Sequence, residues 1–226
     1  MSDTGPTARG AGAADGPAMR FVRFADASAG QIAAFHAIYH EALPDSERKP
    51  DEAIAALAGR GDYVVELAER GGVVVGFLIL YRSAACPMAL LEYVGIAATQ
   101  RNGGLGGQLF ARAAALARNR TMLLEVESDR ASDAGGADLR ARRKGFYARH
   151  GCRQLAGVDY IMPHIGAQKP PAMDLLAFTS LDRVARDTLR AWLEDVYRHV
   201  YARGPDDPAI DTMVANLPRA VMLRAI

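Results

Sequence analysis

The stretch from Val94 to Gly107 reads Val-Gly-Ile-Ala-Ala-Thr-Gln-Arg-Asn-Gly-Gly-Leu-Gly-Gly and holds the chain's clearest capacity to bind a charged ligand. Glycine admits backbone angles closed to other residues and lets a ligand approach the main chain. The run passes directly into Gln108-Leu109-Phe110-Ala111-Arg112-Ala113, which reads as the start of a helix. Unmatched N–H groups and the positive end of the helix dipole would then meet the ligand, and both favour an anion such as a phosphate. Two carboxylates add a second capacity. Glu92 lies in Leu90-Leu91-Glu92-Tyr93-Val94 and Glu125 in Leu124-Glu125-Val126. An acid in an apolar strand is costly unless it is paired or used. Each is therefore a candidate proton acceptor, or else the partner of a basic neighbour, or a residue of an exposed face.

Two common phosphate loops do not fit. The nucleotide P-loop requires Lys and then Ser or Thr after its last glycine, whereas Gly107 is followed by Gln108 and Leu109. A dinucleotide pattern starting at Gly104-x-Gly106 would need glycine at the place of Leu109.

The elements that must position these groups follow from periodicity. Strands are expected over Met19–Ala25, Tyr63–Leu67, Val73–Tyr81, Leu90–Ile96, 121–127, 152–161 and 173–180; Glu69-Arg70-Gly71-Gly72 forms a hairpin turn between the second and third. Helices are expected over 30–43, from a capping Asp51 through Leu57, and over 104–118 and 138–150. Period-two alternation places Glu92, Val94 and Ile96 on one strand face. Gly95 is compatible with a bulge that splays the strand from its neighbour. The order, helix-helix-hairpin and then β-loop-α-β-α-β-β, describes an α/β fold built on a mixed sheet with helices on both faces. No internal repeat is visible.

The pattern Arg-x-x-Gly-x-Gly at Arg101, Gly104 and Gly106 resembles the pyrophosphate loop of the GNAT superfamily of acyl-CoA-dependent N-acyltransferases. Gly145-Phe146-Tyr147-Ala148-Arg149-His150-Gly151-Cys152 is similar to a second segment of that superfamily, and Thr121-Met122-Leu123-Leu124-Glu125-Val126-Glu127 to its L-E-V strand. The resemblance covers roughly residues 19 to 180. It implies a mostly antiparallel sheet with one splayed parallel pair and acetyl-CoA as cosubstrate. It also implies transfer to a primary amine of a small molecule or peptide by direct attack in a ternary complex. On that basis Val94, Gly95, Ile96, Arg101, Asn102, Gly103, Gly104, Leu105, Gly106 and Gly107 would bind the cofactor. Tyr147 would protonate the departing thiolate, and Glu92, ahead of Glu125, would act as base. Asn102-Gly103 stands where relatives often carry a basic residue, which shifts the load onto backbone donors. Acceptor choice would rest on residues 30–60 and 160–172, with Tyr39, Glu41, Asp45, Glu47, Arg48, Tyr160 and His164 as candidates. A different class of function stays open: a non-catalytic acyl-CoA-binding or assembly module.

The chain has 226 residues, with 50% hydrophobic and 23% charged residues, and a net charge of +1. That composition is ordinarily globular, and the balanced charge gives no general field for nucleic acid or an anionic membrane. No apolar run is long enough to span a bilayer. Cys86 and Cys152 form neither a disulfide framework nor a metal spacing, so no metal is expected and a cytoplasmic location fits. Residues 1–18 are rich in Gly, Ala, Ser, Thr, Asp and Pro and read as a disordered leader. The resemblance implies an acyltransferase domain over residues 19–180, followed at 181–226 by a helical extension in which Ser180 caps an amphipathic helix carrying Leu189, Trp192, Leu193, Val196 and Tyr197. Its apolar stripe would pack on the domain, serve as a homodimer contact or close over substrate.

Overall fold

A computed structural model describes residues 18–226 apart from Ser46, Asn102, 131–135, 166–169 and Pro205. The expected leader, except for its last residue, and the cofactor candidate Asn102 lie outside the described residues. Among the described residues nine strands form one sheet: β1 (Met19–Arg23), β2 (Tyr63–Arg70), β3 (Val73–Arg82), β4 (Met88–Ile96), β5 (Thr121–Glu127), β6 (Arg153–Leu155), β7 (Met173–Phe178), β8 (Arg183–Ala185) and β9 (Ala220–Arg224). Their spatial order is β1-β2-β3-β4-β5-β7-β6-β9-β8. Neighbours run antiparallel except β4 and β5, which are parallel. The helices are α1 (Ala29–Ala42), α2 (Asp51–Ala58), α3 (Leu105–Ala117), α4 (Ala137–Arg149), α5 (Arg186–His199) and α6 (Pro208–Val214).

The sheet has a hydrophobic cluster on each face. Phe35, Tyr39, Ile54, Phe77, Ile79, Tyr93, Trp192 and Val196 belong to the cluster under α1, α2 and α5. Leu78, Leu80, Leu91, Leu105, Leu109, Phe110 and Tyr147 belong to the one under α3 and α4. The alternation Phe77/Leu78/Ile79/Leu80 between the two clusters is the period-two signature of a strand covered on both faces.

Three features set the geometry of the centre. Parallel pairing of β4 with β5 is confined to Met88–Leu90 against Thr121–Leu123. Beyond Leu90 the strands part, while β5 keeps β7 on its other side through Glu127. On the β3 side, Ile79 pairs with Tyr93 but Leu80 with Leu91, so Glu92 is the extra residue of a bulge. A bulged strand bends and twists more strongly, which accounts for the parting. The bulge is thus at Glu92 and not at Gly95, which pairs regularly with Phe77. Glycine is required at 95 for another reason: a Cβ there would lie 2.3 Å from a ring carbon of Phe77.

The bulge also overturns the face assignment. Tyr93 sits in the α1/α2/α5 cluster, while Leu91, Val94 and Ile96 pack with the α3/α4 cluster. Glu92 turns towards Lys49, away from the face of Val94 and Ile96.

Two further expectations are corrected. The strand foreseen over 152–161 stops at Leu155, because the chain turns at Ala156-Gly157, where Gly157 has φ of +77°. Only an isolated bridge from Tyr160 to Met173 follows. Ser180 does not cap a helix; the chain first forms β8, and α5 begins at Arg186 after Ala185. Asp51 likewise opens α2 as its first residue, after Pro50. Residues beyond 180 contribute to the same sheet and core. β9 pairs with β6 through Gln154–Arg224 and Leu155–Leu223, and α5 buries Leu189, Trp192 and Leu193. Asp195 of α5, itself buried, accepts a 2.8 Å hydrogen bond from Tyr81 Oη on β3. Among the described residues no helix is long and apolar enough to cross a membrane.

Candidate active site

The gap between β4 and β5 opens into two connected spaces. The larger is a cleft of about 830 Å³ lined by Val94, Gly95, Ile96, Arg101, the Gly104–Gly107 run and one face of α4. The smaller is a chamber of about 150 Å³ lined by Glu47, Glu92, Glu125, Arg143, Tyr147 and Tyr201, among others. Ala42, Leu91, Val94, Arg143 and Tyr147 border both.

The glycine loop takes its shape from α3. Gly104 is the N-cap with φ of +74°, a left-handed conformation that favours glycine, and it has no side chain to cover the first turn. The amides at this helix start therefore face the cleft without intrahelical partners. A Cβ on Gly106 would press on the Phe146 ring at 3.2 Å, and one on Gly107 would meet His150 Nε2 at 3.0 Å. Glycine here lets α3 approach α4 closely. Arg112 fixes α3 to the sheet by two 2.8 Å bonds to the buried Glu66 of β2. Arg101 turns back: its Nε donates to the Ile96 carbonyl at 3.3 Å and its guanidinium lies 3.8 Å from Glu41. Glu41 also accepts from the Ala98 amide.

On the other wall, Lys144 anchors α4 through 2.9 Å and 2.8 Å bonds to Asp174 and Asp129. The adjacent face then presents Leu139, Arg143, Phe146, Tyr147, Arg149 and His150 to the cleft. Sequence reasoning took only Tyr147 from this face, although spacings of three and four residues between 139 and 150 carry the signal. Tyr147 is buried, and burial pushes its phenol up to about 12, so the hydroxyl keeps its proton at neutral pH.

Glu125 is the most perturbed acid. Tyr160 Oη and Tyr201 Oη both donate to it, the latter at 2.5 Å. Burial raises its carboxyl to about 7 even though both phenols favour the charged form. Glu92 is placed differently. Its side chain is 3% exposed, forms an ion pair with Lys49 Nζ, and leaves Oε2 without a hydrogen bond. Lys49 Nζ also lies 5.7 Å and 5.6 Å from the ring centres of Tyr93 and Tyr201.

Of the expected acceptor residues, Glu47 borders the chamber, and burial raises its carboxyl. Tyr39 Oη instead accepts from the Lys49 amide at 2.8 Å and donates to the Lys49 carbonyl at 3.2 Å. Asp45 pairs with Arg48, and Arg48 donates to the His40 carbonyl at 2.9 Å. Tyr160 reaches Glu125, whereas His164 borders a separate surface pocket with Pro163 and Arg203. Both cysteines are free; Cys152 is buried, and burial pushes its thiol up to about 12, which suits a packed thiol and not a nucleophile. Lys49 and Tyr201 were missed because 43 and 76 residues separate them from their partners Glu92 and Glu125.

The model of the acetyltransferase (GNAT) family matches residues 32–151. No curated protein matches the chain in sequence. Among solved structures, a GNAT-family protein from Bacteroides thetaiotaomicron is similar with a TM-score of 0.67 at 20% identity, over 82% of this chain and 99% of that one. The ribosomal-protein-S18-alanine N-acetyltransferase of Escherichia coli gives 0.50 at 14% identity, over 71% and 93%. Ard1 of Thermoplasma volcanium gives 0.52 at 18%, over 72% and 98%. At these identities the structures establish a shared fold.

Proposed function

The chain belongs to the acetyltransferase (GNAT) family, and from that premise we propose that it transfers the acetyl group of acetyl-CoA to the primary amine of a small molecule or peptide, with both substrates held at once. The observation that carries this reading is the unpaired edge of β4 beyond Leu90, bordered by the bare first turn of α3. That edge offers main-chain donors and acceptors to an extended ligand, and the helix start offers amides to a diphosphate. Arg149 flanks the same cleft and supplies positive charge where Arg101 is turned away, and the His150 ring lies beside it.

Acetyl-CoA bound there would supply an activated acetyl thioester. The amine end of the acceptor enters the small chamber, where Glu47 and Glu125 have no lysine partner among the described residues and can accept hydrogen bonds from it, while Glu92 is paired with Lys49. Glu125 removes a proton from the amine nitrogen, since a carboxyl titrating near 7 is matched to that work. Glu92, held by Lys49, contributes a fixed charge and the bend of β4. Amides near Val94–Ile96 polarise the acyl oxygen as charge develops on it. Tyr147 Oη gives its proton to the departing sulfur.

The direct test is thiol release from acetyl-CoA with a panel of primary amines, beside melting curves with CoA, ATP and NAD. A ligand of the native state raises the melting point by mass action. CoA is expected to stabilise the chain, ATP and NAD are not, and amine-dependent thiol release is expected. Stabilisation by CoA with no turnover on any amine would leave only the binding-module reading.

Tyr147→Phe removes one proton and keeps the ring packing. With a good amine its kcat is expected to fall about 10²-fold, the lower end for loss of one general acid, while the CoA-induced melting shift stays unchanged. Full turnover in steady-state assays would remove Tyr147 from the mechanism.

A further inference from the structure

His36 and His40 lie one turn apart on α1 and point at Asp51, the first residue of α2. His40 Nε2 is 2.8 Å and His36 Nδ1 3.2 Å from the same oxygen, Asp51 Oδ1. The three atoms lie within 4.8 Å of one another. One oxygen does not satisfy both rings: His36 Nδ1 is a buried atom with no hydrogen bond. Two imidazole nitrogens and a carboxylate oxygen are thus gathered together, with one of the nitrogens lacking a hydrogen bond.

We propose that His36, His40 and Asp51 bind one divalent first-row transition-metal ion of zinc-like preference. Bonds of about 2.0–2.2 Å in a tetrahedral shell put ligand atoms about 3.3 Å apart, and the two nitrogens lie 3.2 Å and 2.8 Å from Asp51 Oδ1. Two imidazoles with one carboxylate suit Zn²⁺, Co²⁺ or Ni²⁺ and not the oxygen-seeking Mg²⁺ or Ca²⁺. The side chains of His40 and Asp51 are 48% and 43% exposed, so water completes the shell and the ion enters from solvent.

The ion would clip α1 to α2 across residues 43–50, the segment that carries Glu47 and Lys49 to the chamber. The binding claim does not depend on the catalytic reading. In the sequence the set is His-x-x-x-His on one helix face, with the carboxylate supplied from beyond a loop bounded by Pro44 and Pro50.

The test uses the full chain, free of tags and stripped with a chelator, titrated calorimetrically with Zn²⁺ and separately with Mg²⁺. One equivalent of Zn²⁺ is expected to bind and Mg²⁺ none. Co²⁺ is expected to give visible absorption bands of low-coordinate geometry. His40→Ala, at a half-exposed site, and the near-isosteric Asp51→Asn are each expected to weaken Zn²⁺ binding about tenfold or more, with circular dichroism unchanged. Absence of saturable Zn²⁺ binding by the unaltered chain, or binding undiminished in either folded variant, overturns the proposal.

Discussion

Glu125→Gln is expected to lower kcat/KM by about 10²- to 10⁴-fold at pH 8, the range for loss of a positioned general base. The pH profile carries the sharper signature. With its carboxyl raised to about 7, Glu125 is mostly protonated below that pH and cannot accept a proton. In the unaltered chain kcat/KM should therefore climb through a limb near pH 7, and the variant should lack that limb. Stability moves the other way. A carboxyl titrating at 4.5 when unfolded and near 7 when folded holds more protons in the native state between those values. Its contribution is full below about 4.5 and declines as pH rises towards 7. Replacing it should gain up to about 3 kcal/mol at pH 8 relative to the difference at pH 4.5. Urea melts at the two pH values measure this. A variant equally active at pH 8, or one keeping the limb near 7, would move the base elsewhere.

Lys49→Met is the second large effect, and it falls on the fold. Glu92 is 3% exposed and has Lys49 as its ion-pair partner, with Oε2 already unbonded. Removing the cation strands a buried carboxylate, which typically costs about 3–5 kcal/mol. Adding Glu92→Gln to the same chain should recover most of that loss, because the double variant buries no unpaired charge. Denaturant midpoints of the two single variants and the double variant decide it. If Lys49→Met alone were neutral, water would have to reach Glu92, and the chamber would be wetter than its walls imply.

The local signals in the sequence were sufficient for much of the fold. β5 falls on 121–127 as read, and the glycine turn, α3 and α4 lie within a residue or so of their expected bounds. These elements announce themselves through periodicity and glycine. What escaped depends on partners. The face of Glu92 could not be read from β4 alone, since a bulge exists only relative to the register of β3. The short β6 was overrun because its apolar residues continue past Gly157 into the Tyr160 bridge, so alternation persists where pairing does not. The start of α5 was misplaced because β8 is chosen by pairing with β9, a strand near the far end of the chain. For the site, the motif residues form one wall of the larger cleft. The tyrosines on Glu125 and the lysine on Glu92 come from segments whose local sequence gives no hint of them.

The segment after α1 is bolted to the sheet at both its middle and its end. Tyr93 Oη holds the Glu47 carbonyl at 2.8 Å, and Tyr39 grips the main chain of Lys49 from both sides. A loop fastened at two such points can exchange a side chain freely but cannot absorb an insertion without pulling the Lys49 ammonium from Glu92. Side-chain replacement at position 47 is therefore the kind of change this segment tolerates, with the spacing between the Tyr93 and Tyr39 anchors held constant.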